Sequence, residues 1–195
     1  MALEVELKFP LESFDSLVSI LENKGKKLST WYFEQNIVLD TQEQLLKGKD
    51  ILLRLRKGLD HVLTLKFPEV DTDGLVKKRE ELEAKVEDIY ILEDIFKTLG
   101  FFPFLTYEKF RQKWELEDCK ICLDILPFGN FIEIEGDKIF QAAKILRLAV
   151  EQGTKKTYYE LFQDFLKSHN LPLEESFVFS EKEKELIAAR LGVKI

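Results

Sequence analysis

The residues best able to do chemistry are acids and bases set two apart in segments that alternate with apolar side chains. Glu4, Glu6 and Lys8 fall opposite Val5 and Leu7, Arg54 and Arg56 opposite Leu53 and Leu55, and Lys66 shares a side with Thr64, away from Leu65 and Phe67. Arg79, Glu81 and Glu83 repeat the pattern, as do Lys109, Arg111 and Lys113, while Glu133 and Glu135 flank Ile134. A spacing of two puts side chains on one face of a β-strand. One such strand is ordinary half-solvated sheet; its recurrence in most strands asks for more. Helices with apolar stripes can cover the outside of a closed sheet only if its apolar face points outward, which turns the charges inward. A barrel of about eight strands is just wide enough to hold a small ligand.

Such an interior is wet and polar, and its ions need partners. Two carboxylates about 7 Å apart on a strand repel by roughly 2 kcal/mol at an effective dielectric near 20, so gathering Glu4, Glu6, Glu133 and Glu135 calls for a cation. Oxygen donors without paired Cys or His favour Mg²⁺ or Mn²⁺ over zinc. The bases Lys8, Arg54, Arg56, Lys66, Lys109 and Arg111 call for an anion with many oxygens, and phosphate chains suit guanidinium forks and ammonium point charges. A polyphosphorylated ligand answers both sets.

Other motifs carry little. Cys119 and Cys122 form a C-x-x-C inside an alternating segment, so they point to opposite faces and read as two reduced thiols; His61 and His169 lack the spacing of a zinc site. Leu46-Lys47-Gly48-Lys49-Asp50 is not a P-loop, no G-x-G-x-x-G occurs, and the pairs Lys26-Lys27 and Lys77-Lys78 read as solvated turns.

The elements that must position the charges alternate between strand and helix patterns. Strands are expected over Met1–Phe9, Trp31–Leu39, Ile51–Lys57, Val62–Phe67, Leu75–Ala84, Leu105–Glu117, Cys119–Leu126 and Phe131–Glu135, with turns at Gly48–Asp50, Gly58–Asp60 and Asp71–Gly74. Helices are expected from Pro10 to near Gly25, with Phe14, Leu17, Val18 and Leu21 as a stripe, and over Asp88–Leu99, Lys138–Glu151, Lys156–Ser168 and Glu181–Leu191. Short hairpin links among the strands predict the α+β class: a closed eight-stranded antiparallel barrel with a charged interior and helices packed outside.

The 195 residues, 45% hydrophobic, suffice to bury a core, and no linker or repeat divides them, so one domain over 1–195 is expected. With 36 acidic against 29 basic residues and a net charge of −7, the chain as a whole repels anions, which argues against nucleic-acid or anionic-membrane binding and makes any anion site local. No apolar run approaches the roughly 20 residues of a membrane span, and the start lacks a basic region followed by an apolar stretch; the protein is expected in the cytoplasm.

Glu4-Val5-Glu6-Leu7-Lys8 resembles the E-x-E-x-K signature of the CYTH superfamily, the triphosphate tunnel metalloenzymes. In family order follow Leu39-Asp40-Thr41, Leu53-Arg54-Leu55-Arg56, Thr64-Leu65-Lys66, Arg79-Glu80-Glu81-Leu82-Glu83, Lys109-Phe110-Arg111, Leu123-Asp124, Gly129 to Glu135 and Lys156-Thr157-Tyr158-Tyr159-Glu160-Leu161. The resemblance spans about residues 4–162. It implies an eight-stranded tunnel in which Lys8, Arg54, Arg56, Lys66, Arg111 and Lys156 bind a triphosphate, assisted by Lys109. Glu4, Glu6, Asp124, Glu133 and Glu135 would hold Mg²⁺ or Mn²⁺ directly or through water, with Glu81 and Glu83 as further candidates. Leu39 stands where the family often has an aromatic residue, and Thr157-Tyr158 where it often has Ser-Tyr; whether Lys155 or Lys156 is the last phosphate ligand stays open.

The implied activity is metal-dependent hydrolysis of tripolyphosphate or a small organic triphosphate such as thiamine triphosphate or ATP, with Glu133 and Glu135 as the catalytic pair. Two alternatives are a class IV adenylate cyclase, making cyclic AMP and pyrophosphate from ATP, and a noncatalytic polyphosphate-binding module. Residues 168–195 lie beyond the resemblance; their Glu- and Lys-rich helix reads as a solvated or docking element.

Overall fold

A computed structural model of the chain describes residues 2–70 and 74–195. Nine strands are present among them: β1 (Ala2–Leu11), β2 (Lys26–Lys27), β3 (Tyr32–Asp40), β4 (Leu52–Lys57), β5 (His61–Glu69), β6 (Lys77–Lys85), β7 (Phe102–Leu116), β8 (Cys119–Leu126) and β9 (Gly129–Glu135). The helices are α1 (Asp15–Lys24), α2 (Ile89–Thr98), α3 (Ile139–Ile145), α4 (Tyr158–Ser168) and α5 (Glu181–Leu191). Eight strands run in the order β7-β3-β4-β5-β6-β1-β9-β8, all neighbours antiparallel, and β8 pairs back onto β7. The sheet therefore closes as the alternation predicts, in the α+β class.

Closure leaves the apolar alternates outside, where helices cover them. Leu7, Ile121, Leu123, Ile132 and Ile134 pack with Leu17 and Leu21 of α1 and Ile139, Ala142 and Ala143 of α3. Leu39, Leu53 and Leu55 pack beneath Ile89, Leu92 and Phe96 of α2, and Phe110 and Ile125 beneath Ala188 and Ile187 of α5. At roughly 25 cal/mol per Å² of apolar surface removed from water, these interfaces drive the closure.

Several boundaries differ from those the sequence predicts. Pro10 does not open a helix; Pro10 and Leu11 stay in β1, opposite Phe131 and Asn130, and α1 begins only at Asp15, whose amide donates to the Ser13 hydroxyl. Residues expected to extend α3 to Glu151 leave it at Leu146, because Arg147 takes a left-handed conformation (φ 60°) and Leu148 N–H donates back to the Ala143 carbonyl. Lys26 and Lys27 are not a solvated turn but pair with Glu115 and Trp114, the Lys27 ammonium lying over the Trp114 ring. The expected turn at Asp71–Gly74 lies largely outside the described residues. Both cysteines are free and buried, with burial pushing the Cys122 thiol up to about 12. Among the described residues no helix is long and apolar enough to cross a membrane.

Candidate active site

The charged alternates converge on a cavity of about 590 Å³, within the range of small-molecule sites. Its lining recurs at every second residue: Glu4, Glu6 and Lys8 of β1, Arg54 and Arg56 of β4, Lys77, Arg79, Glu81, Glu83 and Lys85 of β6, Lys109, Arg111 and Lys113 of β7, Glu133 and Glu135 of β9. Twelve lysines and arginines line it against nine aspartates and glutamates. A chain of net charge −7 thus carries a cavity wall with an excess of bases.

The ions hold one another in a buried lattice. Lys8 Nζ lies 2.6 Å from Glu6 and 3.4 Å from Glu133, and Arg111 reaches Glu133 at 3.2 Å. Lys66 bonds Glu4 and lies 3.4 Å from Glu81; Arg56 pairs with Glu83 at 3.0 Å; Lys120 pairs with Glu135. Burial works against every one of these charges, so the shifts show which partners win. Burial alone would raise the Glu133 carboxyl, but Arg111, Lys8 and Lys109 hold it well below the usual range. Glu4 is likewise held down, by Lys66 against burial, and Glu83 by Arg56 and the Thr64 hydroxyl. Glu135 moves the other way: burial, with Glu4 and Glu133 behind it, raises its carboxyl despite Lys120. Glu81 is also raised, by burial and then by its neighbours Glu4 and Glu83, against Lys66.

Three bases stand apart. Arg54 is buried without a carboxylate partner among the described residues: its guanidinium donates to Tyr107 Oη at 3.0 Å and Thr64 Oγ1 at 3.5 Å, and its Nε–H has no partner. Lys77 is buried in the wall, where burial and Lys8 lower its ammonium; the reading of Lys77-Lys78 as a solvated turn is therefore corrected. Arg79 is committed to the loop after β3, donating to the Asp50 and Phe67 carbonyls and pairing with Asp50 at 3.1 Å.

Two expected site residues are placed elsewhere. Asp124 is fully buried behind the lining, accepting from Arg111 Nε at 2.6 Å and Tyr158 Oη at 2.6 Å, with Lys109 at 3.4 Å; its position is that of an anchor for those bases. The Lys156 side chain points to the surface and pairs with Asp164 at 2.5 Å, while its neighbour Lys155 lies 3.4 Å from Glu69. Thr157 caps α4 in a reciprocal capping box with Glu160, and this swings Tyr158 and Tyr159 into the cavity in place of Lys156. Lys77, Tyr107 and Tyr158 are site residues that the sequence pattern alone does not single out. Lys77 is in phase with Arg79, Glu81 and Glu83, a signal already in the alternation; the tyrosines look like core.

No three carboxylates, histidines or cysteines among the described residues are gathered into a ready metal shell. The donor chemistry nevertheless suits a hard divalent cation: Glu6 and Glu135 lie directly opposite in register, and Glu4 and Glu133 both repel Glu135.

A closed antiparallel barrel with an ion-lined cavity and helices outside defines the class of protein. The chain belongs to the CYTH family, whose domain matches residues 2–158. It is 27% identical over 173 residues to a Methanocaldococcus jannaschii protein named "putative adenylate cyclase", covering 82% of this chain and 98% of that one. A Vibrio parahaemolyticus structure described in the same words superposes with a TM-score of 0.73 at 18% identity, covering 82% of this chain and 97% of its own. The Hippeastrum protein HpAC1, described as a "putative adenylyl cyclase" with a dominant triphosphatase activity, superposes with a TM-score of 0.57 at 20% identity, covering 100% of this chain and 98% of its own.

Proposed function

We propose that this chain is a divalent-metal-dependent triphosphatase that hydrolyses tripolyphosphate or a small organic triphosphate. The observation that carries the reading is the excess of base around the cavity of an acidic chain, above all the buried Arg54 guanidinium, which pairs directly with no carboxylate among the described residues. Buried charge is tolerated when an opposite charge meets it, and a phosphate chain brings several. The dominant triphosphatase activity of HpAC1 agrees with this reading.

Arg54, Arg56, Lys8, Lys66, Lys109 and Arg111 would neutralise the nonbridging oxygens, with Lys77 as an added contact, while Asp124 keeps Arg111 and Lys109 aimed. Glu4, Glu6, Glu133 and Glu135 would hold Mg²⁺ or Mn²⁺, with Glu81 and Glu83 at the edge of the set. The bound ion would supply charge neutralisation at the phosphate oxygens. Substrate binding exchanges partners: lysines now spent on glutamates turn to phosphate, which frees those carboxylates for the cation. Water then attacks the terminal phosphorus in line with the bridging P–O bond, which breaks. Orthophosphate departs, and the bases stabilise the charge left on the diphosphate. Glu135, with its raised carboxyl, suits acceptance of the water proton, and Glu133 stays anionic beside Arg111.

A product screen with tripolyphosphate, thiamine triphosphate and ATP, each with Mg²⁺ or Mn²⁺, tests the reading. Orthophosphate is the expected product. Cyclic AMP and pyrophosphate from ATP would instead favour the cyclase, the second reading, which the name of the M. jannaschii relative supports; tight binding without turnover would leave a binding module. Glu133→Gln and Glu135→Gln should each lower kcat more than affinity, and full activity in both would remove the pair from the reaction.

A further inference from the structure

Beyond the matched family domain, which ends at residue 158, the chain returns to the barrel at a strap formed by residues 176–179. β8 pairs with β7 only from Phe110 to Leu116, so the edge of β7 from Phe102 to Lys109 lacks β8. The strap takes part of that edge. Phe177 N–H donates to the Thr106 carbonyl and Glu108 N–H to the Phe177 carbonyl, each at 3.1 Å, and Thr106 N–H donates to Ser176 Oγ at 2.9 Å. The bonds form a parallel bridge and fall on the two residues that flank Tyr107. The buried Glu108 carboxylate fastens the strap further, accepting from Phe179 N–H at 3.1 Å and from Lys184 Nζ of α5 at 3.0 Å.

Side chains repeat what the backbone does. Phe177 is 2% exposed, with its ring centroid 5.1 Å from Tyr107, 4.9 Å from Phe162 of α4 and 5.4 Å from Phe128. Its plane lies 23° from that of Tyr107, so the tyrosine ring rests on a packed surface that cannot yield without opening the cluster. Tyr107 Oη accepts from Arg54 Nη1 at 3.0 Å. The other contact of that guanidinium, Thr64 Oγ1, is 3.5 Å away and itself donates to Glu83 at 2.9 Å. Lys8, Arg56 and Arg111 are each steered by a carboxylate; Arg54 has a tyrosine hydroxyl for that task. A long, flexible side chain held in its binding geometry beforehand loses less freedom when the ligand arrives.

We infer that Tyr107 and Phe177 are positioning residues for Arg54: the C-terminal strap fixes Tyr107 from its backbone and its ring face, and the Tyr107 hydroxyl aims the guanidinium at the phosphate chain. The inference rests on the triphosphate reading above and extends its machinery to residues that touch no substrate. It also gives the segment beyond the family domain a part in phosphate affinity.

Calorimetry with tripolyphosphate on the full chain tests this, with thermal melts to confirm folding. Tyr107→Phe keeps the ring stack and removes only the hydroxyl; it should weaken binding about tenfold, the low end for a hydrogen bond to a charged group. Phe177→Leu keeps apolar volume and removes the ring, and should weaken binding roughly 2- to 10-fold, the range for an aromatic pair. Both variants are then repeated in Arg54→Ala and Arg56→Ala backgrounds, because residues that act through one another are not additive. Each loss should vanish without Arg54 and persist without Arg56. Losses of equal size in both backgrounds would mean that the strap merely supports the barrel, and no loss from either variant would mean that Arg54 needs no aiming; both results overturn the inference and leave the triphosphate reading standing. A wild-type chain that binds no tripolyphosphate would overturn the two together.

Discussion

Arg54 concentrates the energetics of the site in one side chain. Its guanidinium is buried, its Nε–H has no partner among the described residues and its hydrogen bonds go to the neutral hydroxyls of Tyr107 and Thr64, whereas Arg56 already shares its charge with half-exposed Glu83. Hydrogen bonds to charged groups contribute about 1.5–3 kcal/mol, or roughly 10- to 150-fold in affinity. Arg54→Ala should lose that much tripolyphosphate affinity by calorimetry, and Arg56→Ala distinctly less; equal losses would mean that the missing carboxylate is irrelevant to binding. Position along the strand tells which side chains face inward, since Arg54, Arg56 and Lys66 all line the cavity as their spacing requires. It cannot tell depth. Asp124 is in phase with the lining yet lies behind it, because Arg111, Lys109 and Tyr158 close over it. Lys156 is lost to the site for a different reason, the capping box at Thr157, which fixes where α4 starts and so which side chain enters.

At the level of elements, strands are more legible than helix ends. A period of two survives any small error in where a strand begins, and β8 is predicted at its observed limits, Cys119–Leu126. Helix ends depend on single residues: Pro10 continues a strand as readily as it opens a helix, and Arg147 terminates α3 in a conformation that its type does not advertise. One joint between elements is unusually tight. Lys8 and Thr154 exchange backbone hydrogen bonds, tying the approach to α4 onto β1, and a Cβ on the adjacent Gly153 would come within 2.8 Å of Leu7 Cδ2 and 3.0 Å of the Val150 carbonyl. Gly153 has φ of −71°, so backbone strain is not at issue. Leu7 is buried in the core and cannot retreat. Gly153→Ala should therefore cost about 1–3 kcal/mol, the range for overpacking, read as a lower midpoint in urea. An unchanged midpoint would show that the joint is loose.

Across the whole molecule, charge has been sorted: a net of −7 overall, with an excess of base around the cavity. The sorting makes stability depend on pH through groups of opposite sign. Glu34 lies beneath the lining, 3.3 Å from Lys109 and hydrogen-bonded by Asn36; burial would raise its carboxyl, but Lys109 and Arg111 hold it far below the ordinary 4.5. A depressed carboxylate contributes stability that is present above its unfolded pKa and lost as pH falls toward the folded value. Glu133 has the same sign, while Glu81 and Glu135, being raised, act in the opposite sense. Glu34→Gln should then be less stable than wild type at pH 7 by about 3 kcal/mol, the low end for breaking a buried pair, because Lys109 keeps Asp124 at 3.4 Å. The deficit should shrink below pH 4.5 as wild-type Glu34 itself protonates on unfolding. Urea unfolding of both proteins from pH 7 downward measures the gap. A gap constant with pH would mean that Glu34 supports the barrel by shape and hydrogen bonding alone, and that its charge is not what holds Lys109 in the cavity wall.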